Sequence, residues 1–455
     1  KLSTVQDMYG RTLSFTYTDD NLTQVDDSEG REVSFIYDSN DDLVTFQDVR
    51  GKDWDYGYNA FHQMKTLINP LAITTATNTY DNQGRVDTQT VPRQGGVNAT
   101  YNFYFSDFRN VEEDPYGQQA IYLLDDKGRT IGLEDQLKNG VQFTFDGQNQ
   151  TIKEIDQRLN ETNYEYDEKN NLKETTNALG KKTYYKYDTE LRLEEVKDHL
   201  NHAVTYEYST GHHLTKTKDA ELNEVSSTYF SNGNLETQTD GNNTTVVITY
   251  DNYGMPQTSI IASHPATNFV YDSIGRLESL TDNVGSETSY SYNDEGSILS
   301  TTDPLTKETM YTYDDAGRLL TVKDRNNDTL TYSYTDSGKI NSITYPDLPT
   351  TSFTYDLHDI EKQMIDSVGT TSFTHDELYR MKSLTSPYGL TLSYEYDAAG
   401  NISQITYPGN KTVTYSYDAL NRLKTITNWL SQTTTYNYDD AGRMSNVENF
   451  NGTIT

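Results

Sequence analysis

A phrase of the form Tyr-x-Tyr-Asp-x-x-Gly-Arg returns about every twenty residues from one end of this chain to the other. Its second tyrosine, taken as an anchor, falls at Tyr17, Tyr37, Tyr58, Tyr80, Phe105, Leu124, Phe145, Tyr166, Tyr187, Tyr208, Tyr229, Tyr250, Tyr271, Tyr292, Tyr313, Tyr334, Tyr355, His375, Tyr396, Tyr417 and Tyr438. That makes 21 units, and fifteen of the 20 intervals are 21 residues long; the others are 20, 22, 25, 19 and 20. A chain with such a register folds as a stack of like units, each burying its apolar surface against its neighbours. Residues 1–455 therefore read as one repeat array, not as the two or three domains that the length alone suggests.

Each unit has three parts. The first is an alternating strand, as in Thr309-Met310-Tyr311-Thr312-Tyr313, with tyrosines on one face and Thr or Ser on the other. The second is a tight turn, Asp314-Asp315-Ala316-Gly317, with Asp at the first position and Gly at the fourth, as a type I turn prefers. A left-handed glycine then forms a bulge. Asn149, Asn170 and Asn421 take the glycine slot elsewhere, and Asn tolerates positive φ next best. The third part is a return strand with apolar residues at i and i+3, such as Leu277 and Leu280. In a regular strand these would face opposite ways, so either a bulge intervenes or both faces are partly covered. A polar or Pro-containing loop leads to the next unit. Helix-period patterns are absent, and the fold class is all-β, an array of about 21 β-hairpins.

Composition narrows the function. The net charge is −33, which repels phosphate backbones and anionic bilayers, so no nucleic-acid partner is expected. No apolar run approaches the ~20 residues that span a membrane, and no membrane insertion is expected. Only 33% of residues are hydrophobic, yet 38 are tyrosines, so burial rests on rings and not on a thick leucine core. The chain lacks cysteine, which removes disulfides and thiolate chemistry. Neither end resembles a cap: Leu2 and Val5 already match the return-strand pair, and the chain stops at Gly452-Thr453-Ile454-Thr455 inside the next unit. The start has neither an initiator Met nor a signal-peptide core, so the expectation is an excised piece of a longer protein. The one irregular region is 81–124, where the intervals of 25 and 19 residues imply a longer loop or a seam.

The phrases YDDAGRL, YDSIGRL, YDAAGNI, YDNQGRV and YDALNRL resemble the YD, or Rhs, repeat, and the resemblance covers essentially the whole chain. That family includes bacterial Rhs and wall-associated polymorphic toxins, the C component of insecticidal toxin complexes, and animal teneurins. The resemblance implies a curved, spiralling single-layer sheet that winds into a hollow shell, which in the bacterial toxins encloses a C-terminal toxin domain of the same parent chain. The missing cysteines and acidic balance look more like a bacterial surface protein than a teneurin, so the expected location is secreted, wall-associated or on the cell surface. Forty-two strands at ~4.8 Å would give a ribbon roughly 200 Å long, about one turn of such a spiral and a partial shell. The family's self-cleaving core carries paired DPxGL-like motifs. Here Asp114-Pro115-Tyr116-Gly117 ends in Gln118, and Ser386-Pro387-Tyr388-Gly389-Leu390 lacks the aspartate. Both read as inter-strand loops, and no self-cleavage or downstream toxin domain is expected within these residues.

No residue is assigned a catalytic, cofactor-binding or metal-binding role. The Asp after each anchor starts a turn and accepts backbone N–H bonds, as Asp does there. Substitutes such as Asn59, Phe230 and Asn293 fit a turn and not a required acid. The Arg after the glycine pairs with an Asp of a neighbouring hairpin or stacks on a tyrosine. His199 and His202, or His212 and His213, would need further ligands for zinc, and no Cys supplies them. The acidic loop Asp38-Ser39-Asn40-Asp41-Asp42 lacks the spacing of a calcium loop. Walker, dinucleotide and nucleophile-elbow motifs are absent, so the chain is not read as an enzyme. Two readings stand: a structural wall around a toxin domain, and an adhesion module gripping cell-wall glycan. The second is weakened because aromatic glycan-binding repeats rely on Trp, and this chain has only Trp54 and Trp429.

Overall fold

A computed structural model describes residues 1–7 and 9–455. The described residues form 43 short strands in one antiparallel sheet, with a single three-residue 3-10 turn at Gln94–Gly96 and no α-helix. By internal packing they fall into two compact units. One comprises Lys1–Asn102, Ser227–Asp359 and Ile365–Ser367; the other comprises Phe103–Ser226, Ile360–Met364 and Val368–Thr455.

The hairpin around residue 313 shows how the sequence makes the element. The strand Glu308–Tyr313 pairs with Leu319–Lys323: Tyr311 faces Val322, Thr312 faces Thr321, and Tyr313 faces Leu319. The register slips between Thr312 and Tyr313, leaving Leu320 as the extra residue of a bulge. The bulge answers the question the i, i+3 pattern left open, because it turns Leu319 and Val322 onto the same face as the tyrosines. The same slip recurs at Tyr271, Tyr334 and Tyr417. The opposite face carries hydroxyls that bond across the strands, at 2.6 Å for Thr312 with Thr321 and 2.6 Å for Ser416 with Thr425.

The sheet is one layer deep. Among the described residues only Ala99, Val111, Ile121 and Val413 are buried hydrophobics, and the anchor tyrosines are half-buried. The chain exposes 26357 Å², whereas a compact globule of its mass would expose about 17,000 Å². A two-sheet sandwich would instead bury a row of side chains from both inner faces.

Most strand-to-strand connections are built alike. In the hairpin turn, Asp314 N–H donates to the Arg318 carbonyl at 2.9 Å and Gly317 N–H to the Asp314 carbonyl at 2.9 Å. Asp314 Oδ1 accepts from the N–H groups of Ala316 and Arg318. The loop after the return strand repeats this: Asp48 bonds Lys52, Gly51 bonds Asp48, and Asp48 Oδ1 accepts from Arg50 and Lys52. The fourth position needs φ near +60 to +90°, met by Gly317 at +78° but by Leu159 at +64° and Leu222 at +68° in connecting turns. The array thus has two edges of like turns, a hairpin edge carrying the Tyr-Asp phrase and a connecting edge. Gly317→Val is expected to cost about 1–2 kcal/mol through the left-handed backbone alone; an unchanged urea midpoint would show that this turn relaxes freely.

The irregular region divides between the two units. In the first, Gln89 and Thr90 pair with Tyr101 and Thr100, Ala99 is fully buried, and the turn at 93–97 makes a contact described below. In the second, Val111 and Ile121 pair and are buried together.

Candidate functional site

Among the described residues no group of three or more His, Cys, Asp or Glu side chains gathers as a metal site would need. What recurs instead is a relay between consecutive hairpins. Arg318 Nε donates to Asp314 Oδ2 of its own turn at 2.8 Å. Its guanidinium carbon then lies 4.5 Å from the ring centroid of Tyr334, the anchor of the next unit. The Tyr334 hydroxyl in turn donates to the Leu319 carbonyl at 2.6 Å, reaching back to the return strand of the previous unit. Each unit therefore holds the next by its arginine and is held back by the next tyrosine. The stacking recurs for Arg192 on Tyr208, Arg276 on Tyr292, Arg380 on Tyr396 and Arg422 on Tyr438. The hydroxyl bond recurs from Tyr208, Tyr292, Tyr396 and Tyr438. Of the two partners read for the arginine, the tyrosine is found, and the acid is the Asp of its own turn.

The electrostatics match a structural role. Burial acting alone would raise the Asp272 carboxyl, but hydrogen bonds from the Arg276 backbone and guanidinium hold it below the ordinary carboxylate range. Burial raises the Tyr334 hydroxyl, with the Asp314 charge adding to it, which keeps the phenol protonated and donating. The acidic loop at 38–42 is likewise occupied: Asp38 Oδ1 accepts from Asn40 and Asp42 N–H, and the Asp42 carboxylate lies 3.0 Å from His62 Nδ1. His62 and His212 sit at the positive-φ turn position, with φ of +61° and +64°. Among the described residues no three His, Cys, Asp or Glu side chains converge on a point where a cation would sit. Asp114 and Ser386 both begin connecting turns, with Gly117 and Gly389 at positive φ. Asp114 is buried and takes the Tyr379 hydroxyl on Oδ2.

A second arrangement lies within each unit. The connecting edge of an early stretch is seated on the hairpin edge of a later one, joining residues from 244 to 265 positions apart. In the first unit, Arg50 carries this seam. Its Nη1 and Nη2 donate to the Asp314 and Asp315 carbonyls at 3.3 and 3.0 Å, and Nη2 also meets Asp48 at 2.7 Å. Nε lies 2.7 Å from Glu295 Oε1, yet its N–H is not aligned for a hydrogen bond, so that contact is ionic. Arg93 donates to the Leu357 carbonyl, and Gln94 bonds both the Phe353 carbonyl and the Tyr355 N–H, so the irregular loop is a contact of this seam. Gly254 belongs to it too, since a Cβ there would collide with the Tyr9 hydroxyl. In the second unit, Arg158 donates to the Tyr417 and Asp418 carbonyls and to Asn421, and Lys181 pairs with Asp440 at 2.9 Å. A cavity of about 300 Å³ remains in that seam beside Lys181, His199 and Arg422. Sequence reasoning missed these cations, which stand at no fixed place in the repeat. It also allotted about one turn to the whole length, while in each unit segments much closer in sequence already touch.

Residues 258–453 match the family model described as the teneurin YD-shell. That match covers less than half of the chain, which over those residues is similar to the teneurin YD-shell. No curated protein sequence matches it. Among solved structures, the Tc holotoxin pore of Photorhabdus luminescens is similar with a TM-score of 0.72 at 15% identity, over 96% of this chain and 29% of that one. A TcdB2–TccC3–Cdc42 structure gives a TM-score of 0.69 at 14% identity over 96% and 31%. A TcdB2–TccC3–TEV structure gives 0.69 at 16% over 98% and 28%. At such identities the likeness is one of fold, and this chain spans less than a third of each chain it matches. No helix among the described residues is long and apolar enough to cross a membrane.

Proposed function

We propose that this YD array is non-enzymatic shell wall, part of a larger secreted or wall-associated bacterial toxin, and that it encloses or presents a toxin domain of the same parent chain. The observation that carries this reading is the single-layer sheet. A sheet with half-buried tyrosines on one face, hydroxyls on the other and seams closed by arginine would enclose area at little cost in chain. The similarity of fold to toxin-complex structures supports it.

Limited proteolysis of the parent chain, followed with antibodies to its C-terminal domain, tests the reading. The domain is expected to survive trypsin while the array is folded and to be cut once the array is loosened in urea. A domain digested equally in both conditions would refute enclosure. Retention of the purified array on cell-wall polysaccharide would favour an adhesion module instead.

A further inference from the structure

The connecting edge changes character along the chain. Where it is seated on a hairpin edge it presents Arg31, Arg50, Arg158 and Lys181 to acids and carbonyls. Over four consecutive turns, at 386–390, 407–411, 428–432 and 449–453, its only charged residue is Lys411. There the tips are apolar: Tyr388 is 77% exposed, Leu390 56%, Tyr407 37%, Trp429 48%, Leu430 65% and Phe450 57%. Neighbouring turns on one edge are two strands apart, so the four make a row about 30 Å long. All belong to one compact unit.

The chemistry of the row selects its occupant. Another hairpin edge would bring acidic turns to a surface with one cation to receive them. A glycan would need free hydrogen-bonding groups beside the rings, but the Asn428 and Asn449 amides are engaged within their own turns. Asn428 Oδ1 accepts from Leu430 and Gln432 N–H and its Nδ2 donates to Gln432, while Asn449 Nδ2 bonds Thr453. Trp429 is held edge-on by Tyr407 at 6.2 Å, with Lys411 at 5.4 Å from its ring.

We infer that two copies of the chain associate through this row, tips against tips. With four aromatic side chains of about 150–250 Å² each and two leucines of about 150–200 Å², the exposed parts of the six amount to roughly 700 Å² per copy. Two copies then bury about 1,400 Å², inside the range of about 1,600 ± 400 Å² for stable interfaces. Aromatics and leucines without carboxylates are what the centre of an interface requires. A two-fold contact sets the row against itself, so copies of net charge −33 meet where carboxylates are absent.

Sedimentation velocity on the 455-residue chain across concentration and salt tests this. A dimer is expected that holds or tightens as salt rises from about 0.05 to 0.5 M, because screening relieves like-charge repulsion. The double variant Trp429→Ser, Leu430→Asn should weaken it at least about tenfold. Phe61→Ser, at a hairpin tip 81% exposed, should leave it unchanged, and hydrogen exchange elsewhere in the array should match the parent in both variants. A monomer at every concentration, a dimer that salt dissolves, or one indifferent to the double variant would each overturn the inference. Polysaccharide binding by a monomer, lost in the same variant, would assign the row to glycan and overturn it as well.

Discussion

Arg50→Ala is expected to unzip the seam of the first unit while leaving the strands on either side intact. The guanidinium is 16% exposed and touches Asp48, Glu295 and two backbone carbonyls of the facing turn. Its removal leaves two carboxylates near one another with no cation between them. Breaking a partly buried pair in this way costs about 3 kcal/mol or more. Burial already raises the Glu295 carboxyl; Arg50 opposes that and Asp48 adds to it. Without Arg50 the Glu295 pKa rises further. A carboxyl whose folded pKa lies above its unfolded value makes the folded state bind more protons, so stability returns as pH falls through that raised pKa. The deficit of the variant should therefore shrink on going from pH 7 toward pH 5. Hydrogen exchange should quicken in the turns at 48–52 and 314–318 and stay slow within the strands. Exchange that quickens evenly over the unit would mean that the seam and the sheet unfold together.

What the sequence made legible is what lies inside the period. The strand Glu308–Tyr313, its turn and its bulge follow from alternation, from Asp314 and from Gly317, because pleat and positive φ act over neighbouring residues. Two features escaped. Connecting turns have the same hydrogen bonds as hairpin turns, yet residues such as Leu159, Leu222, Asn201 and Ser431 occupy their left-handed position. A turn without its glycine reads as an unspecified loop. The seam escaped for a different reason. Arg50 stands at the third position of its turn, Arg31 at the fifth, and Arg93 in the irregular region, so no column of the repeat marks them. A carbonyl partner of each lies 263 or 264 residues away, a separation set by how the sheet curves and not by any pattern along the chain. The paired partner of each turn arginine was half legible: the spacing to Asp in its own turn is four residues, and the fork of the guanidinium suits that acid and the next ring together.

Tyr334→Ala is expected to cost about 3 kcal/mol, the sum of three losses at one position. Exposing a half-buried ring costs about 1–1.5 kcal/mol, half the value for a fully buried side chain. The hydroxyl bond to the Leu319 carbonyl contributes about 1 kcal/mol, and the Arg318 stack about 0.5–1 kcal/mol. Tyr334→Phe keeps the ring and the stack, so it should lose only about 1 kcal/mol. A cycle with Arg318→Ala then isolates the stack: the coupling to Tyr334→Ala should be about 0.5–1 kcal/mol, and coupling to Tyr334→Phe near zero. Because each unit leans on its neighbours, the damage should remain near the two hairpins between 308 and 344, visible as faster amide exchange there and little change beyond. A loss below about 1 kcal/mol in Tyr334→Ala would mean the ring rests on the sheet without holding it. The coupling between repeat units would then lie in backbone pairing alone, and the repetition of tyrosine through the array would need another cause.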